Sequence, residues 1–333
     1  MESKKISSLS YIRAIACIGV CILHVFFAGA GLPTATETGA MVSSCIRNCM
    51  LFAVPCFVMV TGALLLDPEK KMGKKKVLSY ILRMLGVLAI FTFVYEIIDE
   101  LADGTFGLGN LIRTWWNEFF FNGSWGHVWY LYLIIALYIT LPYSRIISRH
   151  LRDKDYLNLL VLLFVFMSVV PTISSLAGKT VAFYICVYTV YPFFFFAGYA
   201  IRKGILNIDS KICLITAIVG ELIMIICTAC KVKGVGSYSF VPALIVAVAL
   251  FGWLFRIEVS EESKLGKALL WADKYSFAVY LTHMFYIKLF FSILKWDPYK
   301  NALLYFIILV LVIVCAFATA VVLKMIPGLK KLL

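Results

Sequence analysis

Charged side chains are scarce in this chain. Asp, Glu, Lys and Arg make up 15% of its 333 residues, where a soluble protein carries about a quarter. Hydrophobic residues reach 62%, and the mean hydropathy is +0.94. That deficit excludes a water-soluble fold. It specifies an all-α, polytopic membrane protein, because a chain crossing lipid must satisfy its own backbone within each span. No low-complexity linker and no convincing internal repeat is present. The longest stretches outside the spans, residues 99–127 and 257–274, are each too short for an independent core. One transmembrane domain over residues 1–333 is therefore expected. There is no Ser-His-Asp series, no Gly-rich phosphate loop and no His-Glu-x-x-His motif. No metal and no bound cofactor is expected.

Ten spans are expected, near residues 8–30, 44–66, 78–98, 128–147, 156–176, 183–201, 211–231, 240–256, 275–295 and 301–326. The gaps between them alternate in charge. With the N-terminus inside, inner segments hold about 21 Lys and Arg, including Lys70, Lys71, Lys74, Lys75, Lys76, Arg145, Arg149 and Arg202; outer segments hold about six. Both termini are thus expected in the cytoplasm, in a multi-pass protein of a bacterial plasma membrane. The net charge of +13 is mostly this inner excess, and no nucleic-acid partner is read from it. The first stretch has no small-x-small cleavage site, and further spans follow at once, so it reads as retained. The cysteine pairs Cys17/Cys21, Cys45/Cys49 and Cys227/Cys230 read as small reduced thiols rather than metal ligands.

What polar content there is concentrates in odd places. The first span, Tyr11 to Gly31, carries Arg13 and His24. Eleven residues bring the two within about 20° of alignment on one helix face, roughly 16 Å apart along the axis. Such groups are costly in hydrocarbon and should face a bundle interior or a wet cavity. Other spans hold Arg47, Asn48 and Thr61, then Arg83 with Glu96, Asp99 and Glu100, then Glu221, then His283 and Lys288. Arg47 and Glu96 lie at similar outer depth and are a plausible ion pair. Lys76 and Arg83, seven apart, share a face and make a positive inner mouth suited to a phosphorylated or nucleotide-bearing donor. An outer segment, LIRTWWNEFFFNGSWGHVWY, clusters Trp115, Trp116, Trp125 and Trp129. It reads as an interfacial aromatic belt or as a platform beside a sugar or lipid head group. Histidine is the side chain best suited to take and return a proton near neutral pH.

Six segments carry a family resemblance. Arg13-x10-His24 in YIRAIACIGVCILH resembles the N-terminal signature of the acyltransferase-3 family of integral membrane acyltransferases. PCFVMVTGALLL is similar to that family's Pro-x-Phe-Phe-x-x-Ser-Gly segment, with Thr61 in place of the serine. KKKVLSYILRML, with Lys76 and Arg83, is similar to its basic entry to the third span. GHVWYLYLIIALYITLP matches at Trp129 and Tyr130, and FFFFAGYAIRKG resembles its Phe-x-x-Gly-Tyr segment followed by a basic residue, Arg202. ADKYSFAVYLTHMFYI resembles its Tyr-Ser-x-x-x-Tyr-Leu-x-His segment, with Tyr275, Ser276, Tyr280 and His283.

The resemblance implies transfer of an acyl group, acetyl by default, from cytoplasmic acyl-CoA to a hydroxyl of a cell-surface or lipid-linked glycan. It makes His24 the catalytic histidine, as base or acyl carrier, and Arg13 its companion. Arg83, Lys76 and Arg202 would hold the donor. Glu96, Trp129, Tyr280 and His283 would line the cavity on the acceptor side. Without a fused extracytoplasmic domain the chain resembles stand-alone members, served either by direct acceptor access or by a separate extracytoplasmic transferase. A glycan or lipid-precursor flippase remains the alternative reading of buried charges between a basic inner mouth and an aromatic outer one.

Overall fold

The computed structural model describes residues 2–121, 123–181, 189–301 and 303–333, with side chains from Ser7 onward. These residues form helices and no strands. In chain order they are α1 (Glu2–Ala30), α2 (Glu37–Cys49), α3 (Ala53–Leu65), α4 (Lys74–Asp103), α5 (Leu108–Phe121), α6 (Trp129–His150), α7 (Asp153–Phe164), α8 (Val170–Ala177), α9 (Tyr191–Lys203), α10 (Ser210–Ala229), α11 (Val241–Arg256), α12 (Lys264–Lys288), α13 (Leu303–Leu323) and α14 (Pro327–Leu332). A π turn, Val165–Val169, joins α7 to α8, and another, Leu289–Ile293, extends α12. Among the described residues eight helical stretches are long and apolar enough to cross a membrane. The chain is an all-α, multi-pass membrane protein.

Two expected spans are shorter than a bilayer. α9 has 13 residues and α11 has 16, or about 20 and 24 Å at 1.5 Å per residue, against a core of about 30 Å. The first part of the expected span 183–201, residues 183–188, lies outside the described residues. The rest, α9, is an interior helix, with Phe193 to Ile201 all buried. Its run of phenylalanines reads equally well as lipid-facing or as core, and packing decides. Two other boundaries move. The span expected at 275–295 begins at Lys264, capped by Ser263. The expected span 44–66 is α2 and α3, broken at Met50–Phe52.

Small residues bring α3 and α9 together. A side-chain carbon on Gly62 would sit 1.8 Å from the Phe195 carbonyl oxygen, and one on Gly198 would sit 2.0 Å from that of Met59. Close backbone approach of this kind replaces the hydrophobic drive that lipid does not supply. Gly198→Ala should therefore cost about 1–3 kcal/mol, read as a lower melting temperature in detergent. An unchanged melting temperature would contradict this packing. Two arginines secure the same element. Arg145 Nη1 donates to the Leu65 carbonyl at 2.5 Å and Arg202 Nη1 to that of Ala63 at 2.6 Å. Both cap carbonyls that the last turn of a helix leaves without partners.

Candidate functional site

The sequence places Arg13 and His24 on one face of α1, and the fold gives that face its partner. α12 packs along α1 in the same direction, both helices starting at the lysine-rich end, here called inner. Asp273 and His283 are ten residues apart on α12, one fewer than Arg13 and His24 on α1. At the inner end Arg13 Nη2 donates to Asp273 Oδ2 at 2.8 Å, and Arg13 Nε lies 2.8 Å from Oδ1. Between the ends, Cys17 Sγ meets the Ser276 carbonyl at 3.5 Å. At the outer end His24 Nδ1 and His283 Nε2 are 3.0 Å apart. The two helices therefore form a ladder with an ion pair as one rung and an imidazole pair as another.

The protons of this pair follow from its neighbours. His283 Nδ1 lies 2.7 Å from the Tyr280 carbonyl oxygen and 3.2 Å from that of Val279. A carbonyl only accepts, so His283 Nδ1 bears the hydrogen and its Nε2 holds the lone pair. His24 Nδ1–H then donates to His283 Nε2, which leaves His24 Nε2 as a lone pair. His283 is fully buried. It fixes the tautomer and direction of His24 as an outer partner fixes a ligating or catalytic imidazole.

A third imidazole joins them from the loop before α6. His127 is 1% exposed, with its ring edge-on to His283 at 5.3 Å between centroids. Tyr95 donates its hydroxyl proton to the Leu281 carbonyl and so accepts from His127 Nε2–H at 3.2 Å. Tyr280 donates to the His127 carbonyl. His127 Nδ1 has no hydrogen-bond partner. Sequence reasoning passed over His127, because it stands in a loop rather than inside a span. Its signal was a histidine within an otherwise aromatic segment, GHVWY. Asp273 was also missed, although its spacing to His283 nearly equals that of Arg13 to His24.

Beneath the imidazoles lies a cavity of about 500 Å³. Its inner wall carries Arg13, Lys70, Arg83, Asp273 and Lys274; its upper wall is Val20, Phe57, Tyr130, Phe277 and Tyr280. Val20 and Tyr280 stand four and three residues before His24 and His283, so the cavity ends about one helical turn below the pair. Arg83 Nε also donates to the Leu332 carbonyl at 2.7 Å, which brings α14 to the inner mouth, where Leu333 joins the lining.

The other expected site residues are spread more widely. Tyr280 and Arg83 line the cavity; Lys76, Arg202 and Trp129 do not. Arg202 lies 3.8 Å from Asp67 as well as capping α3. Trp129 packs against Tyr130, Tyr191 and Tyr238. Glu96 is 5% exposed and meets Glu118, carboxyl to carboxyl; the expected Arg47–Glu96 pair does not form. Arg47 instead donates to Asn48 Oδ1 at 2.7 Å and lies over the Phe27 ring. Of the tryptophans, Trp115 donates to Thr92 Oγ1 at 3.0 Å and docks α5 on α4. Trp116 is exposed, as an interfacial residue should be. Trp125 donates to Asp99 at 2.8 Å and stacks on Tyr95, so one of its faces is already covered. The nine described cysteines are free thiols, and no group of three metal-ligating side chains occurs among the described residues.

Comparison with known proteins agrees with the six segments. No curated protein and no solved structure matches the chain. A family model described as an acyltransferase domain matches residues 6–321. With all but the first five and last twelve residues inside that match, the chain belongs to the acyltransferase-3 family and is a membrane acyltransferase.

Proposed function

We propose that this enzyme moves an acyl group, acetyl by default, from acyl-CoA on the cytoplasmic side to a hydroxyl of a cell-surface or lipid-linked glycan. One observation carries the reading: a cavity that is cationic at its inner mouth and ends at tyrosines one turn below a hydrogen-bonded histidine pair. The phosphates of the donor suit Lys70, Arg83 and Lys274. Its pantetheine arm has to cover a rise comparable to the roughly 16 Å between Arg13 and His24, which brings the thioester beneath Tyr130 and Tyr280.

The chemistry then needs a base. His24 Nε2 takes the proton of the acceptor hydroxyl as its oxygen attacks the thioester carbonyl. The imidazolium that forms keeps its Nδ1–H on His283, now as a charge-assisted bond. As the C–S bond breaks, the departing thiolate recovers the proton from His24. The products are an ester and free CoA. Tyr130 lines the upper cavity, and its hydroxyl is the donor assigned to the carbonyl oxygen as charge develops there.

This division of labour has a direct test. Lys70→Ala and Arg83→Ala should each raise KM for acetyl-CoA about tenfold with kcat nearly kept, as expected for loss of a charged hydrogen bond. Lys76→Ala, off the cavity, should stay within about twofold. If the wild type neither binds nor turns over acyl-CoA while moving a glycan across vesicles, the chain works as a transporter and the proposal falls.

A further inference from the structure

A second cavity, of about 290 Å³, lies at the lysine-rich end between the loop joining α3 to α4 and the inner end of α6. It shares only Lys70 with the cavity beneath the imidazoles. Five of its eleven lining residues are cations, Lys70, Lys71, Lys74, Arg145 and Arg149, against one carboxylate, Glu69. Glu69 lies 3.9 Å from Lys203. Two of the five cations hold the walls. Arg145 donates to the Leu65 and Lys70 carbonyls, both at 2.5 Å, and Lys70 Nζ to that of Leu64 at 3.0 Å. Arg149 makes one long contact, 3.4 Å to the Pro68 carbonyl. Lys71, Lys74 and Arg149 are exposed at the pocket.

This crowding does not serve the fold. Burial, followed by Lys76, Arg202 and Arg145, holds the Lys70 ammonium below its usual pKa. α4 begins Lys74-Lys75-Lys76 behind Gly73, with no acidic residue in its first turn and no side-chain cap, and positive charge is what a helix N-terminus repels. Orienting a span needs lysines near the inner surface, not a pocket that gathers them. An anion in the pocket would offset both repulsions.

The surroundings say which anion. Pro142, Arg145, Ile146 and Arg149 stand at i, i+3, i+4 and i+7 on one face of α6. Pro142 and Ile146, with Val77 of α4, give the pocket an apolar side. Next to it Leu78 of α4 and Tyr143 of α6 are exposed, as is Ile146 itself, on surface that hydrocarbon covers. A phosphate on the cations would leave attached acyl chains lying along these three side chains. Tyr143 is also a ring of the type that settles at headgroup depth. Basic pockets between spans on the cytoplasmic side take anionic headgroups in this way.

We propose that this pocket is a lipid site: Lys71, Lys74 and Arg149 bind the phosphate of an anionic phospholipid from the leaflet on the lysine-rich side, with its chains on the flank formed by α4 and α6.

Native mass spectrometry of the full chain, titrated with phosphatidylglycerol or phosphatidylcholine of identical chains, tests this. The wild type should bind phosphatidylglycerol about tenfold more tightly, as a few cations beside one phosphate provide. Lys71→Gln, Lys74→Gln and Arg149→Gln together should bring that ratio near one, with the melting temperature in phosphatidylcholine nanodiscs unchanged. Lys154→Gln, Lys211→Gln and Lys267→Gln, an equal loss of exposed inner charge away from the pocket, should keep the preference. Equal binding of the two lipids by the wild type overturns the proposal. So does a preference that survives the pocket triple, or one that the distant triple abolishes as fully. Displacement of phosphatidylglycerol by adenosine 3′,5′-bisphosphate also overturns it, because the pocket would then take the nucleotide end of the acyl donor. None of these readouts depends on acyl transfer, so the lipid site and the catalytic reading stand or fall separately.

Discussion

His24→Ala should lower acyl transfer by about 10²–10⁴-fold, the range for loss of a positioned general base, while acetyl-CoA binding stays within about twofold. The two effects separate because His24 lies above the cavity and contributes nothing to its basic inner wall. His283 gives a finer reading of the same step. Its Nε2 accepts from His24 Nδ1 at 3.0 Å. His283→Gln can offer an amide oxygen at that place and should retain activity within about tenfold, whereas His283→Ala removes the acceptor and should cost about 100-fold, the upper range for loss of an orienting partner. Both variants should leave KM for the donor unchanged. If His283→Gln were as inactive as His283→Ala, a titrating imidazole rather than an orienting acceptor would be required at residue 283.

The second large effect concerns the inner rung of the ladder. Arg13→Ala strands a mostly buried Asp273 carboxylate, and Asp273→Ala strands the Arg13 guanidinium. Leaving one partner behind is worse than removing both. The double variant should therefore be more stable than the sum of the single losses implies, with a coupling of about 1–2 kcal/mol read from denaturation in detergent. Activity should follow, because the same contact sets α1 against α12 and so the register of the imidazoles eleven and ten residues on. The exchange Arg13→Asp with Asp273→Arg should recover stability. It should leave KM for acetyl-CoA within about twofold, because both positions line the inner wall and the exchange keeps that wall's net charge. Additive single losses would mean that the pair is not coupled.

Much of this was legible in the sequence, for a physical reason. Hydrocarbon tolerates few polar groups, so Arg13, His24, Arg83 and His283 stood out against their spans, and the positive-inside bias oriented them. Depth along a span can be read from residue number. Azimuth and partner cannot, because they depend on which helices pack together. Arg47 and Glu96 share a depth yet find other partners, Asn48 and Glu118. Arg202 stands in the last turn of an interior helix and is taken up in capping α3. Lys76 shares a helix face with Arg83 in projection, but only Arg83 reaches the cavity. His127 was illegible because loops carry no periodicity, and its position is set by Tyr95 and Tyr280 on two different helices.

The central claim is that acyl-CoA enters from the lysine-rich end and gives up its acyl group beside His24. The most direct test reconstitutes the protein in vesicles in one known orientation and supplies acetyl-CoA to one side at a time, with a hydroxyl acceptor on both. Thiol release matched one for one by ester is predicted only when the donor is on the lysine-rich side, and not in His24→Ala from either side. Equal turnover from both sides, or turnover only from the opposite side, would contradict the account.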